Sequence, residues 1–262
     1  MKGETMDHME KRVFLIKRLL EEQPRYRDIE IPGDPAEQKQ LLRSLFNVRM
    51  PGPIGEDFLE VQDEYLQEAT REKGVTELSS LTAVEPGIFL WQGDITTLRC
   101  DAIVNAANSG MTGCYQPCHN CIDNCIHTYA GVQLRNTCAE LMKAQGHEEP
   151  TGQAKITPAF NLPCRYVIHT VGPVVRGRLT KRHDEQLASC YRSCLELAEQ
   201  YGVKSLAFCC ISTGVFGFPQ KRAAEIAVQT VRTHMAETQS DTEVIFNVFK
   251  DFDHALYHDL LG

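Results

Sequence analysis

Between Gly113 and His127 the chain places four cysteines, Cys114, Cys118, Cys121 and Cys125, together with His119 and His127. Thiolate sulfur and imidazole nitrogen are the donors that zinc prefers. The spacing points first to Cys114, His119 and Cys121, a C-x4-H-x-C arrangement whose Pro117 helps a short loop wrap an ion. Cys118, Cys125 and His127 are the competing donors. Three protein ligands would leave a coordination position open for chemistry, whereas recruiting Cys118 or Cys125 as a fourth would close the site into a structural brace. An open zinc can polarise a substrate oxygen or acidify a bound water, and Asp123 follows the last of the three ligands closely enough to orient or deprotonate such a water. Upstream, Asn105 and Asn108 end an apolar segment and can hydrogen-bond sugar hydroxyls.

Two further segments fall where a strand should give way to a loop. Ser212-Thr213-Gly214-Val215-Phe216-Gly217 carries two glycines and two hydroxyls ahead of Pro219. Glycine lets backbone N–H groups approach a ligand, and a helix start behind them favours an anion, so this loop can cradle a diphosphate. Gln92-Gly93-Asp94-Ile95 offers a carboxylate that can accept a hydrogen bond from an exocyclic amine such as that of adenine. It can equally form an Asx turn or an N-cap, since Asp-Ile-Thr-Thr starts a helical turn well. His169, near another strand end, reads as a satisfied core residue.

The elements that must hold these residues read as alternating strands and helices from about residue 86 onward. Strands are expected at Ile88–Trp91, Ala102–Val104, Tyr166–His169, Leu206–Ile211 and Val244–Phe249. Helices are expected over Cys121–Gln145 with Gly146 as its stop, over Leu187–Tyr201, from Pro219 to about Glu237, and around Ala255–Leu261. The nearly all-apolar run at 206–211 fits a strand covered on both faces. The alternation implies a layered α/β fold with a largely parallel sheet, whose ligands bind beyond the carboxyl ends of the strands. Residues 1–85 read instead as three helices, around Val13–Leu20, Leu41–Phe46 and Phe58–Ala69 with Gly74 as a stop. They form a helical appendage without a chemical motif of its own.

The 262 residues suffice for one full core plus an extension. A net charge of −8 argues against a nucleic-acid backbone as the main partner, though a small phosphorylated ligand held by backbone N–H groups is compatible with it. No apolar run reaches the ~20 residues of a membrane span. The polar start from Met1 to Glu10 argues against a secretory signal, and eleven cysteines, an odd number, argue against a disulfide framework. A reducing, cytoplasmic setting is the expectation, with the thiols outside the loop serving as small buried hydrophobes.

In order along the chain, Trp91-Gln92-Gly93-Asp94-Ile95-Thr96, Ala102-Ile103-Val104-Asn105-Ala106-Ala107-Asn108-Ser109, Ile126-His127 with Ala130-Gly131, and Ile211-Ser212-Thr213-Gly214-Val215-Phe216-Gly217 resemble the successive motifs of macrodomains, which are ADP-ribose-binding modules. The resemblance implies a three-layer α/β/α fold with a mixed central sheet over residues 86–262, preceded by the helical extension at 1–85. Where many hydrolytic members carry a run of glycines, this chain has Cys114 to Cys121. That departure resembles the zinc-dependent branch, whose Cys-His-Cys triplet lies beside the distal ribose and whose members also carry an N-terminal helical extension. The resemblance implies that Cys114, His119 and Cys121 hold Zn2+, that Asp94 receives the adenine amine with Ile95 against the ring, and that Ser212, Thr213, Gly214, Val215, Phe216 and Gly217 hold the diphosphate. It also implies that Asn108 and Asp123 face the distal ribose and are catalytic, that Cys121 and Ile122 are among the ADP-ribose-binding residues, and that Phe249 lies against adenine or its ribose. Cys118 and Cys125 receive no role. The implied activity is removal of mono-ADP-ribose from Asp or Glu carboxylates of a protein, with release of ADP-ribose. A lipoyl-carrier protein modified by a sirtuin-type transferase is the partner that some members have. A non-catalytic ADP-ribose reader and an O-acetyl-ADP-ribose deacetylase are the alternatives. Neither nucleic acid nor membrane is an expected partner.

Overall fold

The computed structural model describes residues 6–262, so the part of the expected appendage and polar start that falls on residues 1–5 lies outside the described residues. The appendage is three helices, α1 (His8–Glu22), α2 (Pro35–Val48) and α3 (Glu56–Lys73). Each has a local reason to start. Asp7 caps α1 in a reciprocal box with Glu10. Asp34 caps α2, and Pro35 sits at its first position. The three helices bury Leu15, Ile16, Leu42, Phe58 and Leu66 against one another in a small core of their own, which also takes in Val132 from the second region. At about 1.5–3 kcal/mol per fully buried aliphatic or aromatic side chain, that core holds the three helices together, and Val132 joins it to the second region.

Gly74 ends α3, and the chain passes through two short strands, β1 (Thr76–Glu77) and β2 (Ala83–Glu85), ahead of the boundary expected at residue 86. β3 (Ile88–Gln92), β4 (Leu98–Arg99) and β5 (Ala102–Ala107) follow, then α4 (Ile122–Ala130), α5 (Val132–Gln145), β6 (Ala154–Pro158), β7 (Tyr166–Val171) and α6 (Lys181–Gln200). The chain closes with β8 (Ser205–Phe208), α7 (Gln220–Thr238), β9 (Glu243–Val248) and α8 (Asp251–Leu261). β1 pairs with β4 in a separate two-stranded ribbon. The main sheet has the order β2-β3-β9-β8-β5-β7-β6. Its five inner strands are parallel, and β2 and β6 are antiparallel edges, so the sheet is mixed, as the resemblance implies. Helices α6, α7 and α8 pack on one another along the sheet, and α4 and α5 pack together against β5 and β6 with the extension outside them.

Four expectations change. The helix expected over Cys121–Gln145 is two helices, because Gly131 takes a φ of +95° that a residue with a Cβ adopts only under strain. Gln62 of α3 also occupies the space such a Cβ would need, with its amide nitrogen 2.7 Å away. The strand expected at 206–211 ends at Phe208, leaving Cys209 to Ile211 as the root of the next loop, with Cys209 and Ile211 buried. The helices expected from Leu187 and Ala255 begin earlier, at Lys181 behind Thr180 and at Asp251. The edge strand β6 was not anticipated, since its half-buried sequence, Ala-Lys-Ile-Thr-Pro, has no apolar run.

The parallel strands set the site. β3, β9, β8, β5 and β7 all end on one side, so the segments after Gln92, Ala107, Val171, Phe208 and Val248 converge there.

A candidate active site at the carboxyl ends of the strands

Asp123 is the centre of this convergence. It is the second residue of α4 and is 5% exposed. Asn105, within β5, donates from Nδ2 to its Oδ1 at 2.8 Å, and Asn108, just past the strand, donates from Nδ2 to its Oδ2 at 3.1 Å. Burial pushes the Asp123 carboxyl up to about 6, against the opposing pull of the Asn105 hydrogen bond, the Arg135 charge and the Asn108 hydrogen bond. The two asparagines differ in what they can reach. Asn108 is half-buried and also donates to the Gly113 carbonyl, while Gly110 N–H donates to its Oδ1, so it shapes the turn that leads into the cysteine loop. Asn105 is fully buried, and its second amide hydrogen goes to Nδ1 of His169 at 3.1 Å. The expectation that Asn105 holds a sugar hydroxyl is therefore corrected, because it lies behind the carboxylate and positions it. His169, whose Nε2 meets Thr157 Oγ1 at 3.0 Å, is the satisfied core residue expected, and burial lowers it to about 3.

The cysteine loop brings Cys114, His119 and Cys121 together, with donor atoms all within 4.8 Å of one another. Cys121 is the N-cap of α4, and its Sγ accepts from Asn124 N–H at 3.4 Å. That position favours negative charge. Burial, then the neighbouring Cys114 and Asp123, nevertheless push the Cys121 thiol up to about 12, so on this protein's own charges the thiol stays protonated. A dication coordinated there would reverse that balance, and two thiols with one imidazole are the donors zinc takes, so the residues fit the metal. Cys118 and Cys125 turn the other way. Cys118 Sγ lies 3.2 Å from Ser44 Oγ, and Cys125 Sγ takes a contact from Arg43 at 3.6 Å, both in α2. Both sulfurs are thus engaged by the extension.

The braces of this loop come from outside it. Asn124, fully buried, folds the loop back by donating to the carbonyls of Gln116 at 3.0 Å and Cys114 at 3.4 Å. Arg43 of α2 donates to the His119 carbonyl at 2.8 Å and to Asn124 Oδ1 at 3.0 Å. Asn47 of α2 accepts from Cys118 N–H at 2.9 Å and donates to Thr128. Arg135 of α5, also buried, donates to the carbonyls of Phe46, Asn47 and Arg49 and stacks under Tyr115 of the loop at 4.4 Å. None of Arg43, Asn47, Asn124 and Arg135 was singled out from the sequence. Each is a polar side chain on a helix, and for Arg43, Asn47 and Arg135 the partners lie tens of residues away, where spacing does not reach.

The loop after β8 supports itself. Its internal hydrogen bonds are Thr213 N–H to Cys210, Gly217 N–H to Gly214 and Phe218 N–H to Ser212, and none among the described residues uses the N–H of Gly214, Val215 or Phe216. Val175 N–H donates to Phe216 O and ties the loop to the segment after β7. Gly217 has a φ of +70°, and a Cβ there would lie 3.0 Å from the Val175 carbonyl. Ser212 has a φ of +65°, uncommon for a residue with a side chain, and its buried Oγ is packed on Gly172 with no hydrogen-bond partner. Val215 stands exposed at the tip.

At the far end, Asp94 caps a short turn, Ile95–Thr97, by accepting from Thr96 N–H and Oγ1, the N-cap alternative read from the sequence. Its other oxygen accepts from Lys73 Nζ of α3 at 3.0 Å. Burial acts to raise the Asp94 carboxyl, but the Thr96 hydrogen bonds and Lys73 outweigh it and hold it lowered. Ile95 is buried in the main core, Ile122 is half-buried at the first position of α4, and Phe249 stands exposed just after β9. Gly93 N–H donates to the Val248 carbonyl, which brings the Asp94 and Phe249 segments side by side.

Among the described residues no helix is long and apolar enough to cross a membrane, and all eleven cysteines are unpaired. A family model described as "Macro domain" matches residues 104–227. A "Protein-ADP-ribose hydrolase" from Treponema medium is 60% identical over 261 residues, which is 98% of this chain and 100% of that one. A protein of the same description from Staphylococcus aureus (strain MSSA476) is 53% identical over 84% of this chain and 83% of its own length. Among solved structures, the Oceanobacillus iheyensis macrodomain with ADP is similar at a TM-score of 0.62 and 36% identity, covering 69% of this chain and 93% of its own.

Proposed function

The chain belongs to the macro domain family, and from that premise we propose that it is a zinc-dependent protein-ADP-ribose hydrolase acting on Asp or Glu carboxylates that carry mono-ADP-ribose. That it is a hydrolase follows from relatives of that name that align along most or all of their length. The observation that carries the finer reading is a buried carboxylate, Asp123, held by two asparagines beside the Cys114–His119–Cys121 triplet.

Each part of the groove then has work to do. Asp94 accepts from the adenine amine, and Phe249 offers an exposed ring to the base. The unengaged N–H groups of Gly214, Val215 and Phe216 balance the diphosphate with no cationic side chain, which suits a chain of net charge −8. Asn108 and the start of α4 lie against the distal ribose. At C1 of that ribose a water oxygen forms the new bond, the bond from C1 to the protein carboxylate oxygen breaks, and the carboxylate departs with the electron pair. Asp123 orients the water and takes its proton, and Asn105 keeps the carboxylate aimed. Cys114, His119 and Cys121 would hold zinc, which when bound supplies a Lewis acid for a ribose or water oxygen. A lipoyl-carrier protein modified by a sirtuin-type transferase is the substrate protein that the family resemblance suggests.

The test is release of ADP-ribose from a peptide bearing one mono-ADP-ribosylated glutamate, with and without a strong chelator. Turnover that chelation abolishes and zinc restores is the expected result. Tight binding without turnover would make the chain a reader, and turnover indifferent to chelation would remove zinc from the mechanism.

A further inference from the structure

The site described above uses the start of α4 from the side of the sheet. On its other side, α4 and the cysteine loop face α2 and α3 across a cleft of about 620 Å3. That volume is within the ~300–1,000 Å3 of sites that hold a ligand rather than a stray water. The floor is apolar and aromatic, with Leu42, Phe46, Tyr65 and Tyr129. One lip is made by Cys118 and Asn120, the residues on either side of His119. The lip of the cleft therefore flanks His119 of the metal-ligand triplet along the chain.

Its charge is opposite to that of the molecule. The lining carries Lys39, Arg43 and Lys73 against one carboxylate, Glu72, in a chain of net charge −8. Lys73 is neutralised by Asp94. The other two cations are not neutralised. Lys39 is exposed and in no ion pair among the described residues. Arg43 gives its hydrogen bonds to a carbonyl, an amide oxygen and a thiol, none of them a carboxylate, and its buried Nε has no partner. A free ADP-ribose has no need of such a wall, because its diphosphate is matched by backbone N–H groups elsewhere.

We infer that this cleft receives the segment of the modified protein that flanks the ADP-ribosylated carboxylate, and that it selects an acidic segment. The inference rests on the hydrolase reading above and names its substrate class. The extension is then one wall of a substrate channel, and the same Arg43 that braces the His119 carbonyl faces the incoming chain.

The probes are two peptides of one sequence, each with a single mono-ADP-ribosylated glutamate, one flanked by Asp and Glu and the other by Asn and Gln at the same positions. Binding is measured on the Asp123→Asn variant, where cleavage does not interfere, and the KM values of the unsubstituted chain give a second reading of the same sign. The acidic peptide should bind at least tenfold more tightly, with a preference that shrinks as salt rises. Lys39→Glu, at an exposed position, should erase the preference and leave the affinity for free ADP-ribose unchanged. Equal affinities for the two peptides, or a preference that survives Lys39→Glu, would overturn the inference. Failure of the hydrolase reading looks different, since both peptides would then bind to the unsubstituted chain and neither would release ADP-ribose.

Discussion

The two loops that follow the carboxyl ends of β5 and β8 are built in opposite ways. The loop after β8 closes on itself through three backbone hydrogen bonds and one tie to Val175, and leaves the N–H groups of Gly214, Val215 and Phe216 without a partner among the described residues. The cysteine loop makes few bonds to itself. Arg43 and Asn47 of the extension, Asn124 of α4 and Arg135 of α5 hold it. Binding an anion by backbone dipoles needs only a fixed chain path, which a short glycine-bearing loop provides locally. Holding three ligands on one ion, next to a carboxylate that must keep its aim, needs rigidity that the loop does not have alone. The helical extension braces the loop through Arg43 and Asn47, so residues that looked like an appendage belong to the support of the candidate site.

That contrast is open to direct attack. Asp123→Asn removes the acceptor for the water proton and should cut turnover by about 10²–10⁴-fold while free ADP-ribose still binds. Loss of binding of equal size would mean that Asp123 serves affinity instead. Arg43→Met leaves every ligand in place but removes the brace on the His119 carbonyl. Zinc affinity, read by competition with a chromogenic chelator, should fall by about 10–100-fold, the usual scale for a residue behind a metal ligand, with ADP-ribose affinity nearly unchanged. Gly217→Val should do the reverse. Its φ of +70° and the 3.0 Å approach of the Val175 carbonyl leave no room for a Cβ, so calorimetry should show ADP-ribose binding weakened roughly tenfold, or ~1.4 kcal/mol, while metal content stays the same. If either variant damages both loops alike, the two are one cooperative unit and the contrast fails.

A separate effect, on stability and not on turnover or binding, concerns the support behind Asp123. Burial holds His169 neutral down to about 3 when folded, whereas in the unfolded chain it takes up a proton near its ordinary 6.5. Its folded value is depressed, so the unfolded state binds more protons within that window. The stabilising contribution of His169 is complete above about 6.5 and declines as pH falls toward 3, by at most about 1.4 kcal/mol per pH unit. His169→Gln cannot titrate. The stability gap between the two proteins in urea titrations should therefore narrow on acidification, and a constant gap would mean that His169 is exposed to protons in the folded state.

What the sequence disclosed follows the same division. Cys114, His119 and Cys121 lie within eight residues of one another, and Ser212 to Gly217 are contiguous, so spacing pointed to both as candidates while leaving Cys118, Cys125 and His127 as competing donors. The inner strands were legible because parallel strands covered on both faces are continuous apolar runs. The braces were hidden because Arg43 meets its partners across more than seventy residues, and only the docking of α2 on α4 brings them together. The break at Gly131 was hidden for a related reason. The apolar spacing on either side continues as if through one helix, and the demand for a glycine comes from Gln62 on a distant helix. Asn105 was misplaced because two asparagines three apart on a strand end look alike until one is seen to be fully buried.

The central claim is that a cation held by Cys114, His119 and Cys121 works beside Asp123 in one hydrolytic site. Elemental analysis and turnover measured on the same preparation test it most directly, using the ADP-ribosylated glutamate peptide. About one zinc per chain is expected, with release of ADP-ribose lost on chelation and recovered with zinc, and with both metal and turnover absent from Cys121→Ser. A metal-free chain that releases ADP-ribose at an undiminished rate would contradict it.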